Sequence, residues 1–314
     1  MRLISARTLA GAVTTGLALG GAIVAATQAD ASETPHAVSP HAVFVQTQNT
    51  AGNTIVGYRR GADGSLTRTG SYPTGGTGGQ LNGSVVDHTA SQGSLILDRW
   101  RQVLYAVNAG SDTVTVFAVH GDRLTRLQVI GSGGEFPVSI TVHGNLVYVL
   151  NARAGGSIQG YRWAGPALVA MPAWHRALGL DPTATPEFTH TPGQVAFTPN
   201  GSQLMVTTKA GSDAIDVYRI AASGAPAASP TVNAAPGTTP FGVTFDPRGR
   251  LVAALTGPNA VASFTINRDG TLTQLDQEPT GQAATCWVVA DGGLFYASNA
   301  GSGTVSGYAI GGSG

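Results

Sequence analysis

From Ala42 onward the chain alternates short apolar runs with glycine-bearing polar turns. Runs of this length, rich in Val, Ile and aromatic residues and bounded by Gly, Asn and Asp, predict β-strands. An apolar strand such as Pro137–Val142 meets a turn, and a second strand follows. The turns read His143-Gly144, Asn200-Gly201, Arg248-Gly249 and Asp291-Gly292, all suited to tight hairpins. Second strands are expected over 103–107, 146–150, 204–208, 251–255 and 294–298. A third strand alternates and ends in an aromatic residue. Asp63-Gly64, Asp122-Arg123 and Asp269-Gly270 then turn the chain into a fourth, more polar edge strand. No stretch holds a helical period beyond a few residues.

The pattern repeats. Asn108-Ala-Gly-Ser-Asp-Thr-Val-Thr-Val-Phe117 returns as Asn299-Ala-Gly-Ser-Gly-Thr-Val-Ser-Gly-Tyr308, with weaker copies beginning at Asn49, Asn151, Lys209 and Gly257. The closing aromatics Tyr58, Phe117, Tyr161, Tyr218, Phe264 and Tyr308 recur at a basic period of about 45 residues, the length of a four-stranded propeller blade. The fold class is therefore all-β, a β-propeller with about six blades present. The first unit begins at its second strand, over 42–46, and the last stops after its third, over 304–310. This leaves either a six-bladed ring with a poorly closed seam or a C-terminal blade that is truncated, and the second reading is favoured.

The N-terminus reads differently. Arg2 and Arg7 precede an uncharged apolar stretch, and Ala29-Asp30-Ala31 supplies an A-x-A cleavage site, the features of a secretory signal peptide. Residues 1–31 are expected to be the signal peptide, 32–41 a flexible leader and 42–314 the propeller domain, giving a secreted protein with no membrane attachment after cleavage. Composition narrows the partners. The 17 basic and 17 acidic residues cancel, and no basic cluster occurs, which disfavours nucleic acid. The single cysteine, Cys286, excludes an internal disulfide and any multi-cysteine metal site. No metal or cofactor signature is present. The expected partner is a small molecule or extracellular ligand, bound by a monomer.

Propellers carry ligands at the channel mouth, on loops before each first strand and after each second strand. Within those loops His88 or His190 is a candidate base, Glu135 its orienter and Lys209 an oxyanion stabiliser. Gln92, Asn108, Asn151, Gln194 and Asn299 are candidate ligand contacts. Competing readings stand beside these. An asparagine in Asn-Ala-Gly-Ser also caps its own turn, a loop histidine is commonly a surface residue, and Cys286 reads as buried packing near the channel.

Several segments carry a family resemblance: Tyr72-Pro-Thr-Gly-Gly76, Ser91-Gln-Gly-Ser-Leu95, Ala106-Val-Asn-Ala-Gly-Ser111, Pro137-Val-Ser139, Thr239-Pro-Phe-Gly242, Ala283-Ala-Thr-Cys-Trp287 and Ser298-Asn-Ala-Gly-Ser302. Together they resemble the seven-bladed lactonase propellers, the group of 6-phosphogluconolactonase and carboxymuconate cyclase, and most closely a secreted bacterial branch. The resemblance spans nearly all of 42–314 and implies seven blades. The ionisable residues that precede inner strands in the phosphogluconolactonases are replaced here by Phe136-Pro-Val-Ser139 and Thr191-Pro-Gly-Gln194. What it implies is hydrolysis or isomerisation of a small lactone other than a sugar phosphate. The alternative is a non-catalytic propeller that binds protein or glycan.

Overall fold

The computed structural model describes residues 39–311. The expected signal peptide and most of the leader lie outside the described residues. Six antiparallel sheets follow one another along the chain. Blade 1 holds Ala42–Gln46, Thr54–Arg60 and Leu66–Pro73. Blade 2 holds Leu95–Asp98, Val103–Asn108, Thr113–His120 and Arg123–Gly131. Blade 3 is built from Pro137–His143, Leu146–Asn151, Ser157–Trp163 and Leu168–Ala170, with the short Arg176–Ala177 also paired to its third strand. Blade 4 comprises Pro192–Phe197, Gln203–Thr208, Ala214–Arg219 and Thr231–Ala234. Blade 5 comprises Pro240–Phe245, Leu251–Leu255, Ala260–Ile266 and Leu272–Pro279. Blade 6 holds Thr285–Asp291, Leu294–Asn299 and Thr304–Ala309. Among the described residues no helix is long and apolar enough to cross a membrane.

Burial explains why these runs become strands. Val103–Asn108, Gln203–Thr208 and Leu251–Leu255 are buried at every position, because each is covered on both faces by neighbouring blades. Fourth strands such as Leu272–Pro279 are almost wholly exposed, which is why they read as polar. Apolar side chains from adjacent blades interleave. Ile55 packs with Leu104 and Phe117 between blades 1 and 2, and Tyr105 and Val116 pack with Ile140 and Val149 between blades 2 and 3. Met205 and Val217 meet Val243 and Ala253 between blades 4 and 5, and Val252 and Val261 meet Val288 and Phe295 between blades 5 and 6.

Three inner strands share a backbone device. Phe136, Thr239 and Ala284 immediately precede the inner strands of blades 3, 5 and 6, each at positive φ between 45° and 60°, and Ala90, at 43°, stands five residues before that of blade 2. Non-glycine residues adopt this region only where surrounding contacts enforce it. Asp112 Oδ1 accepts the Phe136 N–H at 2.7 Å, and Asp213 Oδ1 accepts the Thr239 N–H at 2.9 Å. A carboxylate from the loop of one blade thus fixes the entry of the chain into the next.

Candidate functional site at the channel mouth

The segment from Thr77 to Gly93, between blades 1 and 2, plugs the channel. Leu81 is fully buried among Phe136, Val195, Phe241 and Cys286. Gln92 reaches across the axis: its Nε2 donates to the carbonyls of Val243 at 3.1 Å and Val288 at 2.9 Å, and its Oε1 accepts the Val288 N–H at 3.0 Å. The Trp287 indole donates to the Ser91 carbonyl at 2.8 Å. The plug leaves a polar cleft on one side and an apolar cavity on the other.

The polar cleft consists of two adjoining cavities of about 190 and 480 Å³ that share Leu180, Asp181, Ala184 and His190. His190 ends the single helical turn Glu187–His190. Its Nδ1 lies 2.9 Å from the Pro186 carbonyl and 2.9 Å from Thr189 Oγ1. A carbonyl only accepts, and the Thr189 hydroxyl itself donates to Pro186 at 3.0 Å, so Nδ1 carries the proton. In the neutral ring the lone pair is then on Nε2.

Arg153 enters the same cleft. Its Nε donates to Glu187 Oε1 at 2.7 Å and its Nη2 to Oε2 at 3.2 Å, while the guanidinium stands 4.3 Å from the centre of the Phe136 ring. Glu187 Oε2 also accepts the Asn82 N–H at 2.6 Å, tying the cleft to the plug. The hydrogen bond from Arg153 holds the Glu187 carboxyl below its usual range, and the same bond raises the Arg153 guanidinium. Glu135 and Asp181 complete the wall, and the Asp181 carboxyl is lowered by its hydrogen bonds from Thr183. One cation therefore faces three carboxylates.

Lys209 lies elsewhere. It is 2% exposed, donates from Nζ to the Ala90 carbonyl at 2.6 Å, and sits 5.1 Å from the centre of the Phe241 ring. Desolvation pushes its amine down to about 7, against opposing contributions from Asp87 and Cys286. Among the described residues no group of three or more His, Cys, Asp or Glu side chains is placed to hold a metal ion.

The family model for lactonases of the seven-bladed β-propeller type matches residues 84–256. The chain belongs to this lactonase propeller family. Its fold is similar to that of a Lactobacillus plantarum protein, at 22% identity and TM-score 0.61, covering 83% of this chain and 75% of that one. A candidate 6-phosphogluconolactonase from Bacteroides fragilis aligns at 21% identity and TM-score 0.59, over 85% and 80% of the two chains. The Pseudomonas aeruginosa periplasmic gluconolactonase aligns at 18% identity and TM-score 0.55, over 76% and 68%. No functionally curated protein matches the chain in sequence.

In this lactonase propeller, Glu135 and His190 come together in the polar cleft, and the other candidate residues do not join them. His88 is half-buried inside the plug, where its carbonyl accepts the Leu81 N–H at 2.9 Å. Lys209 is walled off and hydrogen-bonded to the plug, so it cannot serve as the oxyanion group of the cleft.

The five ligand contacts expected from sequence are corrected. Asn108, Asn151 and Asn299 are all 0% exposed. Asn108 Nδ2 donates to Thr113 and Thr115, and Asn299 Nδ2 to Thr304 and Ser306. Asn151 Nδ2 donates to the Ser132 carbonyl and Ser157, and a Cβ added at Gly134 would stand 2.7 Å from that nitrogen. Gln92 spends its amide on Val243 and Val288, and Gln194 Oε1 accepts the Val243 N–H at 2.6 Å. All five pin strands together.

Sequence reading missed Arg153. The signal was present: Arg153 occupies the place in Asn-Ala-Gly-Ser that Gly110 and Gly301 hold in the better copies.

Proposed function

We propose that the polar cleft opens a small, uncharged lactone by hydrolysis. The observation that carries this reading is that His190, its Nδ1 held by the Pro186 carbonyl, lines the same cavity as Arg153. Nε2 takes a proton from water as the oxygen attacks the lactone carbonyl carbon. Arg153 stabilises the oxyanion of the tetrahedral intermediate. The ring C–O bond then breaks, and the imidazolium returns the proton to the departing alkoxide. Glu187 keeps the guanidinium aimed by its paired hydrogen bonds. The lactonase family and the gluconolactonase-type structural neighbours support the reaction class.

Charge narrows the substrate. With one cation against Glu135, Asp181 and Glu187, a phosphate ester would meet net repulsion, so a neutral sugar or aliphatic lactone fits better. The expected setting is extracellular, with residues 1–31 removed during export; N-terminal sequencing of the mature protein from culture medium should begin near Ser32. The protein should act as a monomer on its small-molecule substrate. The deciding experiment is a lactone panel assayed with the wild type, His190→Ala and Arg153→Ala. Loss of the histidine should lower kcat/KM by about 10²–10⁴-fold, and loss of the arginine by about 10²–10³-fold. Turnover that is unaffected by both substitutions would refute the assignment.

A further inference from the structure

The polar cleft leaves Lys209 unused. It is the only lysine of the chain, it is buried, and among the described residues no carboxylate forms an ion pair with it, though Asp87 acts on it from a distance. Burying a lysine without a counterion is costly, and the single hydrogen bond from Nζ to Ala90 leaves the amine with spare bonding capacity. What it adjoins is specific. Ala90, which accepts its hydrogen bond, and Phe241, whose ring centre lies 5.1 Å from Nζ, both line a cavity of about 250 Å³ on the other flank of the plug, and Lys209 stands behind that lining. The remaining wall includes Val85, Val86, Asp87, Cys286 and Trp287. It is largely apolar, its polar side chains being Ser84, whose hydroxyl donates to the Leu81 carbonyl, the Asp87 carboxylate and the Cys286 thiol.

We propose that this cavity is a carbonyl-binding site in which Lys209 forms an imine with a small apolar aldehyde or ketone. The amine is unprotonated in a useful fraction of molecules at neutral pH, because the same burial that removes water lowers its basicity. Nζ turns from the Ala90 carbonyl to the carbonyl carbon of the ligand, its lone pair forms the C–N bond as the C=O π pair moves onto oxygen, and one N–H proton passes to that oxygen. The resulting carbinolamine loses its hydroxyl as water, taking the second N–H proton with it, and the nitrogen lone pair forms the C=N bond. No oxidant or reductant is needed. Phe241 and Trp287, with ring centres 5.4 Å apart and nearly perpendicular, supply the surface for the apolar body of the ligand. The inference does not rest on lactone hydrolysis, and either can fail without the other.

The test exploits the single lysine. The full chain is incubated at pH 7.5 with benzaldehyde and sodium cyanoborohydride, which reduces an imine to a stable secondary amine, and Lys209 is located by peptide mapping. The N-terminal amine is scored separately in the same digest. Parallel samples use urea-unfolded protein, and glyoxylate in place of benzaldehyde. Lys209 should be benzylated at least several-fold faster in the native protein than in the unfolded chain, where its amine is protonated as in any exposed lysine. Glyoxylate should label it poorly in the native state. A structural lysine would behave oppositely, being protected when native and labelled only on unfolding. That result, or equal native labelling by the two aldehydes, overturns the proposal.

Discussion

The side-chain amide of Gln92 pairs with the backbone of Val288 as one strand pairs with another, donating to its carbonyl at 2.9 Å and accepting its N–H at 3.0 Å. A residue between blades 1 and 2 thereby supplies a ladder rung to the inner strand of blade 6. Replacing Gln92 by Ala removes three hydrogen bonds and strands the Val288 N–H inside the protein. Each bond contributes about 1 kcal/mol, and an unsatisfied buried donor costs further. The substitution should destabilise by about 2–4 kcal/mol, a fall in Tm on the order of 5–12 °C for a domain of this size. Calorimetry of Gln92→Ala checks it, and an unchanged Tm would show that the plug is not held by this contact.

Asn108 offers a test of scaffold against ligand contact. It accepts from Asn53 Nδ2 at 3.0 Å and donates to Thr113 and Thr115 at 3.0 and 2.8 Å. Asn108→Ala should cost about 2–4 kcal/mol by leaving buried partners unsatisfied. At temperatures where the variant is still folded, KM should stay at the wild-type value. A raised KM with unchanged stability would restore the asparagine as a ligand contact.

Glu187 sets the charge of the polar cleft. Glu187→Gln removes one negative charge at nearly the same side-chain shape, and its single amide oxygen keeps only part of the Arg153 and Asn82 hydrogen bonds that both carboxylate oxygens accept. KM for an anionic lactone, such as a phosphorylated one, should fall several-fold relative to a neutral lactone of the same ring size. Steady-state kinetics on the pair decides the matter; a parallel change for both substrates would mean that Glu187 acts only by positioning.

Asp216 predicts a pH-dependent weakness. Burial in the third strand of blade 4 raises its carboxyl from 3.8 to about 6. Below pH 3.8 the carboxyl is neutral whether the chain is folded or not, and it carries no penalty. Between 3.8 and about 6 the unfolded chain ionises first and stability falls; above about 6 the full penalty applies. Asp216→Asn should therefore raise stability by about 2–3 kcal/mol at pH 8 and change it little near pH 3.5. Urea melts at the two pH values measure the difference, and an equal effect at both would remove the electrostatic cause.

Much of the architecture is legible in the sequence because each blade repeats the same local rules. Ala42–Gln46 and Leu251–Leu255 fall at their expected bounds. Val103–Asn108, Leu146–Asn151 and Leu294–Asn299 run one residue further than expected, since each asparagine still belongs to the ladder while its side chain caps the loop beyond. Lys209 was harder to place. The repeat sets it beside Asn108, yet the ladder pairs Thr208 with Ala214 as it pairs Asn108 with Thr113. The loop of blade 4 has one extra residue, and this carries the lysine inward. The cleft was half legible: His190 and Glu135 stand in loops that pattern alone assigns to the mouth. Arg153 and Glu187 come together only through tertiary contact between blade 3 and the segment before blade 4. The scaffold roles of Gln92 and Gln194 depend on strands far away in the chain, which local spacing does not report.

A plug anchored on blade 6 also orders events during synthesis. Blades that touch only their neighbours can form one after another as they leave the ribosome. Gln92, however, emerges 196 residues before its partner Val288, an interval of roughly 10–40 s at ordinary elongation rates. Throughout that time Leu81 and its apolar surroundings lack their final cover. The nascent chain is thus open to capture by chaperones until Val288 arrives, and the mouth becomes dry only once blade 6 has formed.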